Sequence, residues 1–403
     1  MYKGYTELYD HISSLRVINT HCHHRETGDF RNFSLSALIE NSYVSWCGVE
    51  LESNKKSREN FLSKVGHRSY FFWLQKSLRA IYGLDEKISV DNWDDLSDRI
   101  RKAHDKNDFH LKLLREKCGY ERIVLDGYWN PGGDNGVPDL FSPTFRINMF
   151  AYSYNREVRD HNDNNALILY DKDIHDIDEF TDFMEEIIIR KKSEGTVALK
   201  SALPYDRGND FIQTSKEEAQ WALEKKPSEV TAEEIKLFQD YVFFQICRIA
   251  AEQGLPLQCH TGLGEVHRSR ALWLRDAVAL NPETRFVLFH GSYPWTSDVA
   301  ALVHRYPNVY ADLCWLPIIS PAAARRFLSE LIEVGNTDRL TWGCDTWTSE
   351  ESYGALLAMR EVLAEVFAEK VEREYLNKEE ALRFIDCILR ENPSEIYGIP
   401  LKD

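Results

Sequence analysis

The chain has 403 residues, 43% of them hydrophobic, and a formal net charge of −16. With no run of basic residues, that balance argues against nucleic acid or an acidic membrane surface as partner. No apolar stretch reaches the length of a membrane span, the first residues show no leader-type apolar core, and eight scattered cysteines read as reduced thiols of a cytoplasmic protein.

A short amphipathic helix is expected over 5–14, leading into a buried strand over Val17–His23. Residues 25–110 then show helical patterns (61–65, 70–81 and 93–104) and an aromatic cluster, Tyr70 to Trp73, but no strand. They read as a helical insertion covering the mouth of whatever the strands build, with most of the aromatics as its own core. From residue 110 strands and helices alternate. Strands are expected at Arg122–Asp126, Arg146–Ala151, Thr196–Lys200, Leu257–His260, Phe286–His290, Val309–Leu313 and Leu340–Asp345. Helices are expected at 110–118, 174–193, 215–253, 271–280, 297–306, 321–335 and 351–371, with further C-terminal helix over 375–397. In the long helical region Ser228 and Thr231 are candidate N-caps and Gly254 the stop. Eight strands in such a beat predict one closed (β/α)8 TIM barrel, 1–403, with no linker cutting off a second domain.

The C-terminal strand ends of such a barrel share one rim, and the active site sits there. His21 and His23 project together from strand one, because residues i and i+2 share a strand face. Alone, that pair is as readily accidental as functional. Lys200, His260, His290 and Asp345 end other strands. Each has a bland reading: a satisfied core histidine, a solvent-facing lysine, an aspartate capping the next helix. Together they end strongly apolar strands, where unpartnered polar groups cost several kcal/mol, about 2–7 each. Three imidazoles and a carboxylate can hold a divalent ion, Zn²⁺ before Mn²⁺, with a position left for water or substrate. Cys259 and Cys344 alternate away from the mouth and read as packing residues, with Cys22 a minor alternative ligand.

Four stretches in order, Asn19-Thr20-His21-Cys22-His23, Gln258-Cys259-His260-Thr261-Gly262, Leu288-Phe289-His290-Gly291-Ser292-Tyr293-Pro294 and Gly343-Cys344-Asp345, resemble the amidohydrolase superfamily. Within it they are most similar to the amidohydrolase 2 group, which holds carboxymuconate-semialdehyde-type decarboxylases and domains fused to glutamine synthetase. The likeness is strongest over about 195–350 plus the first strand. It implies one metal ion held by His21, His23, His260 and Asp345, with His290 as a histidine that supports the ligands or takes part in catalysis. Lys200 lies where some relatives carry a metal-bridging lysine, a role the similar subgroup generally lacks. Asn19 stands where an acidic residue is usual.

The leading expectation is hydrolysis of a small polar, carboxylate-bearing substrate by metal-activated water. Asp345 would take the proton and pass it to the leaving group, and His290 would polarise the scissile carbonyl. Lys200, Arg207, Arg268 and Tyr293 are candidate substrate contacts, the cations as a carboxylate clamp, although both arginines also read as solvated loop residues. Tyr205, Trp315 and Trp347 are candidate walls. A decarboxylase or lyase on the same ligands is one alternative. A sugar-acid isomerase resembling uronate isomerase is another, suggested by the His-Cys-His motif and the insertion, but opposed by His260 and by the lack of an arginine soon after Asp345. A binding protein without activity would be expected to have lost a ligand. A small molecule is the expected partner, with homo-oligomerisation left open.

Overall fold

The computed structural model describes residues 2–106 and 108–402. Its centre is a sheet of eight strands in chain order: β1 (Val17–Cys22), β2 (Tyr120–Leu125), β3 (Phe141–Arg146), β4 (Ala198–Ser201), β5 (Leu257–Cys259), β6 (Phe286–Leu288), β7 (Val309–Asp312) and β8 (Leu340–Thr341). Each pairs in parallel with the next. Bonds running past the short β8 draw the sheet round on itself. Thr20 N–H donates to Trp342 O (3.3 Å), Asp345 N–H to His21 O (2.9 Å) and His23 N–H to Thr346 O (2.9 Å). The (β/α)8 barrel is therefore as expected.

One strand lies elsewhere than the sequence suggests. The apolar run 146–151 forms the last residue of β3 and then a single helical turn, Asn148–Ala151. β3 itself contains Pro143, which lacks a donor and so reads as a strand breaker. Here Pro143 needs only its acceptor, and its carbonyl takes the Val197 N–H at 2.9 Å. The expected helix over 215–253 is two, Lys216–Glu224 and Ala232–Glu252. Each starts with a capping box, Ser215 with Glu218 and Thr231 with Glu234. Ser228 caps neither, and Gly254 ends the second with a φ of 64°.

Inside the barrel Ile18, Val124, Ala198 and Val287 pack together, and the C-terminal segment with Ile396, Tyr397 and Ile399 closes that cluster from one end. The Tyr397 hydroxyl accepts from Gln258 Nε2 (3.0 Å). Between β1 and β2 lie helices Leu35–Glu40, Lys55–Val65, Ser69–Tyr82 and Trp93–His104, with an apolar cluster of their own built on Leu38, Phe61, Phe71, Leu78 and Trp93. His110 stacks on Phe30 of that region (4.2 Å between centroids), and among the described residues neither of its ring nitrogens has a partner. Burial, then neighbouring His24 and His104, hold its pKa well below the ordinary value.

Two outcomes follow from this packing. A Cβ on Gly343 would stand 2.6 Å from His21 N and 2.8 Å from Thr20 Oγ1, in the seam between β8 and β1. Gly343→Ala is expected to cost about 1–3 kcal/mol by overpacking, read from the urea midpoint. His110 is neutral when folded, so the stability it contributes is present above its unfolded pKa, about 6.5. That stability is lost as the pH falls toward the depressed folded value. His110→Leu should flatten the fall in urea midpoint below about pH 6.5; an unchanged slope would remove His110 from the acid sensitivity.

Candidate active site

The strand ends surround a cavity of about 160 Å³. His21, His23, Lys200, His260, His290 and Asp345, the six residues expected on the rim, all line it. Tyr205 and Trp347 are walls as expected, joined by Tyr43, Trp46 and Tyr128.

His21, His23 and Asp345 converge. Asp345 Oδ1 lies 3.1 Å from His23 Nε2 and 3.5 Å from His21 Nε2. His23 Nδ1 faces the Asp126 carbonyl at 2.8 Å. Donation there fixes the tautomer, so that the Nε2 lone pair meets the carboxylate oxygen. With the ring neutral, those two acceptors repel unless a metal ion lies between them; a second proton on the ring would relieve them equally. Among the described residues His21 Nδ1 has no partner. Burial, and then Lys200 and the adjacent histidines, hold the His21 pKa well below its usual value, which keeps the imidazole in the neutral form that metals bind. The donor set therefore fits a divalent ion. Two clusters of suitable atoms lie within 4.8 Å, His21 with His23 and Asp126, and His290 with Cys314 and Asp345. Burial, then Asp345, lift the Cys314 thiol far above its ordinary pKa, which makes it a poor ligand.

His260 faces elsewhere. Its Nε2 lies 3.1 Å from Gly262 O and 3.3 Å from Leu263 O, and its Nδ1 lies 3.0 Å from His290 Nε2. His290 Nδ1 in turn lies 3.0 Å from Cys314 O. With carbonyls at both ends, two neutral rings are one proton short of satisfying the chain. A turn of the His260 ring toward Asp345 would relieve that shortage, and ligation by His260 requires such a turn.

Residues beyond the sequence expectation complete the electrostatics. Asp126, at the end of β2, lies 3.8 Å from His21 Nε2 through its Oδ2. Arg146, at the end of β3, grips the same carboxylate through Nε (3.1 Å to Oδ2) and Nη2. Burial alone would raise the Asp126 pKa, but Arg146, with His23 and Lys200, outweighs it and the net shift is downward. Lys200, 2% exposed, rests its ammonium 3.8 Å over the Phe289 ring. Burial lowers its pKa to about 8 against the pull of Asp345 and Asp126. Tyr43, from the segment between β1 and β2, donates its hydroxyl to Asp345 Oδ2 at 2.9 Å, and its ring stacks on Trp315 (4.5 Å between centroids). Beneath it Glu351 accepts from Tyr43 N–H at 2.6 Å, with its carboxyl pushed up to about 8 by burial.

Three expected substrate contacts do not line the cavity. Arg207 is buried against Asp240 of helix Ala232–Glu252, Nη1 to Oδ1 2.7 Å, and lies over Phe211. This guanidinium neutralises a carboxylate within the fold. Arg268 is exposed. Tyr293 is half-buried and packs against the main core. Trp315 supports Tyr43 rather than forming a wall. Cys259 and Cys344 are turned away as expected. The Cys344 thiol accepts from Asn19 Nδ2 (2.9 Å), and Asn19 Oδ1 accepts from Cys344 N–H (2.9 Å), so Asn19 ties β1 to the Asp345 loop.

The (β/α)8 barrel with this imidazole–carboxylate cluster at its strand ends resembles the metal-dependent enzymes of the amidohydrolase type, a class that takes in hydrolase, lyase and isomerase chemistry. Residues 226–399 match the family model described as amidohydrolase. Three of the four motifs lie within that stretch, and the resemblance to the superfamily is borne out. Protein fluG of Emericella nidulans is 35% identical over 150 residues, 36% of this chain and 17% of that protein, so the match spans less than a fifth of its length. Uronate isomerase of Cutibacterium acnes is 22% identical over 371 residues, 81% of this chain and 76% of its own. Among solved structures, uronate isomerase of Thermotoga maritima superposes with a TM-score of 0.78 at 16% identity, over 98% of both chains. A protein of Lactobacillus casei described as a metal-dependent hydrolase gives 0.71, also at 16% identity, over 97% of both chains.

No described helix is long and apolar enough to cross a membrane. If His21 and His23 share an ion with Asp345, His23→Asn should lower metal per chain by at least about tenfold after dialysis, by the scale of losing one ligand or its support. Elemental analysis reads this, and undiminished metal in a folded variant would remove His23 from the ligand set.

Proposed function

We propose that the chain is a metal-dependent hydrolase of a small polar substrate bearing a carboxylate. The observation that carries this reading is the convergence of the His21 and His23 Nε2 atoms on Asp345 Oδ1, in a cavity whose other charged walls are Lys200 and Arg146. Zinc suits two imidazoles and a carboxylate, with His260 as a further ligand once its ring turns. A bound divalent ion would supply a water of lowered pKa and polarise the scissile carbonyl. Asp345 would take the proton of the attacking water; the Tyr43 hydroxyl on its Oδ2 supports Oδ1 as the working oxygen. His290 would hydrogen-bond the developing oxyanion. Lys200 would bind the carboxylate of the substrate, with Arg146 beside it.

A second reading, isomerisation of a sugar acid, is favoured by one specific contact and by the comparisons. Tyr43 couples a phenol to Asp345, a pair able to move a proton on and off carbon, and two of the relatives above are uronate isomerases. Both readings require a carboxylate site and one metal.

Proton NMR of the metal-loaded protein in D₂O, with uronates, N-acyl and γ-glutamyl compounds, lactones and unsaturated carboxylates, separates them. Hydrolysis predicts a cleaved acyl or lactone bond without deuterium at carbon. Aldose-to-ketose conversion with deuterium uptake would establish the second reading instead, and loss of a carboxylate would overturn both. In the reaction found, Asp345→Asn is expected to retain part of the metal while kcat falls about 10²–10⁴-fold. Near-normal turnover would remove Asp345 as proton acceptor.

A further inference from the structure

One histidine of the cavity stands apart from both the metal cluster and the His260–His290 pair. His161 lies in the loop after β3, and its side chain is 25% exposed at the cavity wall. A 7%-exposed carboxylate, Asp206 from the loop after β4, holds it twice. Asp206 Oδ2 lies 2.7 Å from His161 Nδ1, and Asp206 Oδ1 accepts the His161 backbone N–H at 2.7 Å. Asn148 steadies the carboxylate in turn, donating Nδ2 to Asp206 Oδ2 at 2.9 Å while its Oδ1 accepts from Ala202 N–H at 2.8 Å.

A carboxylate on Nδ1 requires a proton there, so Nε2 is the nitrogen that gains and loses one. Among the described residues Nε2 has one polar neighbour within hydrogen-bond range, Arg146 Nη1 at 3.4 Å. That same nitrogen donates to Asn162 Oδ1 at 2.7 Å, while the other edge of the guanidinium grips Asp126 beside His21 and His23. One arginine therefore separates His161 from the metal cluster. The His161 ring also meets the Tyr205 ring (5.1 Å), which meets the His260 ring (4.6 Å). A cavity-wall histidine whose Nδ1 is held by a buried carboxylate has the form of a proton-transfer pair.

We infer that His161, oriented by Asp206, is the general acid that protonates the leaving group, a task separate from that of Asp345. The inference rests on the hydrolase reading. The oxygen of water bonds to the acyl carbon and its proton goes to Asp345. The bond from that carbon to the leaving oxygen or nitrogen breaks, and the leaving atom takes the proton of the His161 imidazolium Nε2. The ring is left neutral, and the proton on Asp345 returns to it through solvent, so water is divided between the two products and both residues are restored. His161 would be a catalytic residue and Asp206 a positioning residue. The substrates this favours are amides and alkyl esters, whose leaving groups are too basic to depart unprotonated.

The test is a leaving-group series, aryl hydrogen succinates from phenol to 4-nitrophenol, assayed with the full-length zinc-loaded protein. Wild type should show a shallow dependence of kcat/KM on leaving-group basicity. His161→Asn should lose about 10²-fold on the phenyl ester and little on the 4-nitrophenyl ester, with zinc per chain unchanged. Asp206→Asn should steepen the dependence in the same sense, because the amide no longer enforces Nδ1–H. A slope in folded, metal-replete His161→Asn equal to that of wild type overturns the role of His161 and leaves the hydrolase reading standing. A wild type inert toward every ester, with its zinc in place, fails the hydrolase reading and this inference with it.

Discussion

The seam between the last strand and the first is the contact on which the site depends. β8 has only two paired residues, yet the chain beyond it stays stitched to β1 by the bond from Asp345 N–H to His21 O and by the two hydrogen bonds between the Asn19 side chain and Cys344. Those bonds place a carboxylate from one end of the chain within 3.5 Å of two imidazoles from the other. Asp345 takes a left-handed backbone there, φ 58°, as does His290 at φ 63°. Non-glycine residues adopt that region at a cost of about 1–2 kcal/mol. The seam bond and the packing around it offset that cost at Asp345, and both side chains are thereby turned into the cavity.

Charge in the cavity is balanced by opposition rather than by solvent. Asp126 and Asp345 supply the anions, Arg146 and Lys200 the cations, and burial holds His21, His260 and His290 in their neutral form. Arg146 is committed to Asp126, whereas Lys200 rests on an aromatic face and keeps its charge for something else. On the proposed reading, such a site would take a ligand that presents one carboxylate to the lysine.

How far the sequence could be read follows from where each group sits. Strand ends were legible, because an apolar run stopping at a histidine, lysine or aspartate announces a rim, and six such residues do line one cavity. Asp126 ends β2 by the same rule and carried the same signal. Arg146 was hidden by Pro143: with β3 read five residues late, the arginine fell at the far end of the strand instead of on the rim. Tyr43 opens a short 3-10 helix and His161 lies in a loop, and in such short or irregular pieces neither periodicity nor spacing tells which side chains turn inward. Arg207 was misleading for the opposite reason. It follows a rim strand, but its partner Asp240 lies on a helix packed outside the barrel, and no local pattern announces that pairing.

Tyr43 stands on a segment that carries its own apolar core, while the groups it faces belong to the barrel seam. Roof and floor of the cavity thus each have packed side chains of their own, and at Tyr43 they meet through its hydroxyl on Asp345, its N–H on Glu351 and its ring on Trp315. Such a division lets a lineage remodel the roof, and with it the shape and chemistry of what enters, while the metal-holding seam below is inherited intact. A shared floor beneath divergent roofs is one physical route by which hydrolases and isomerases could come to share this barrel.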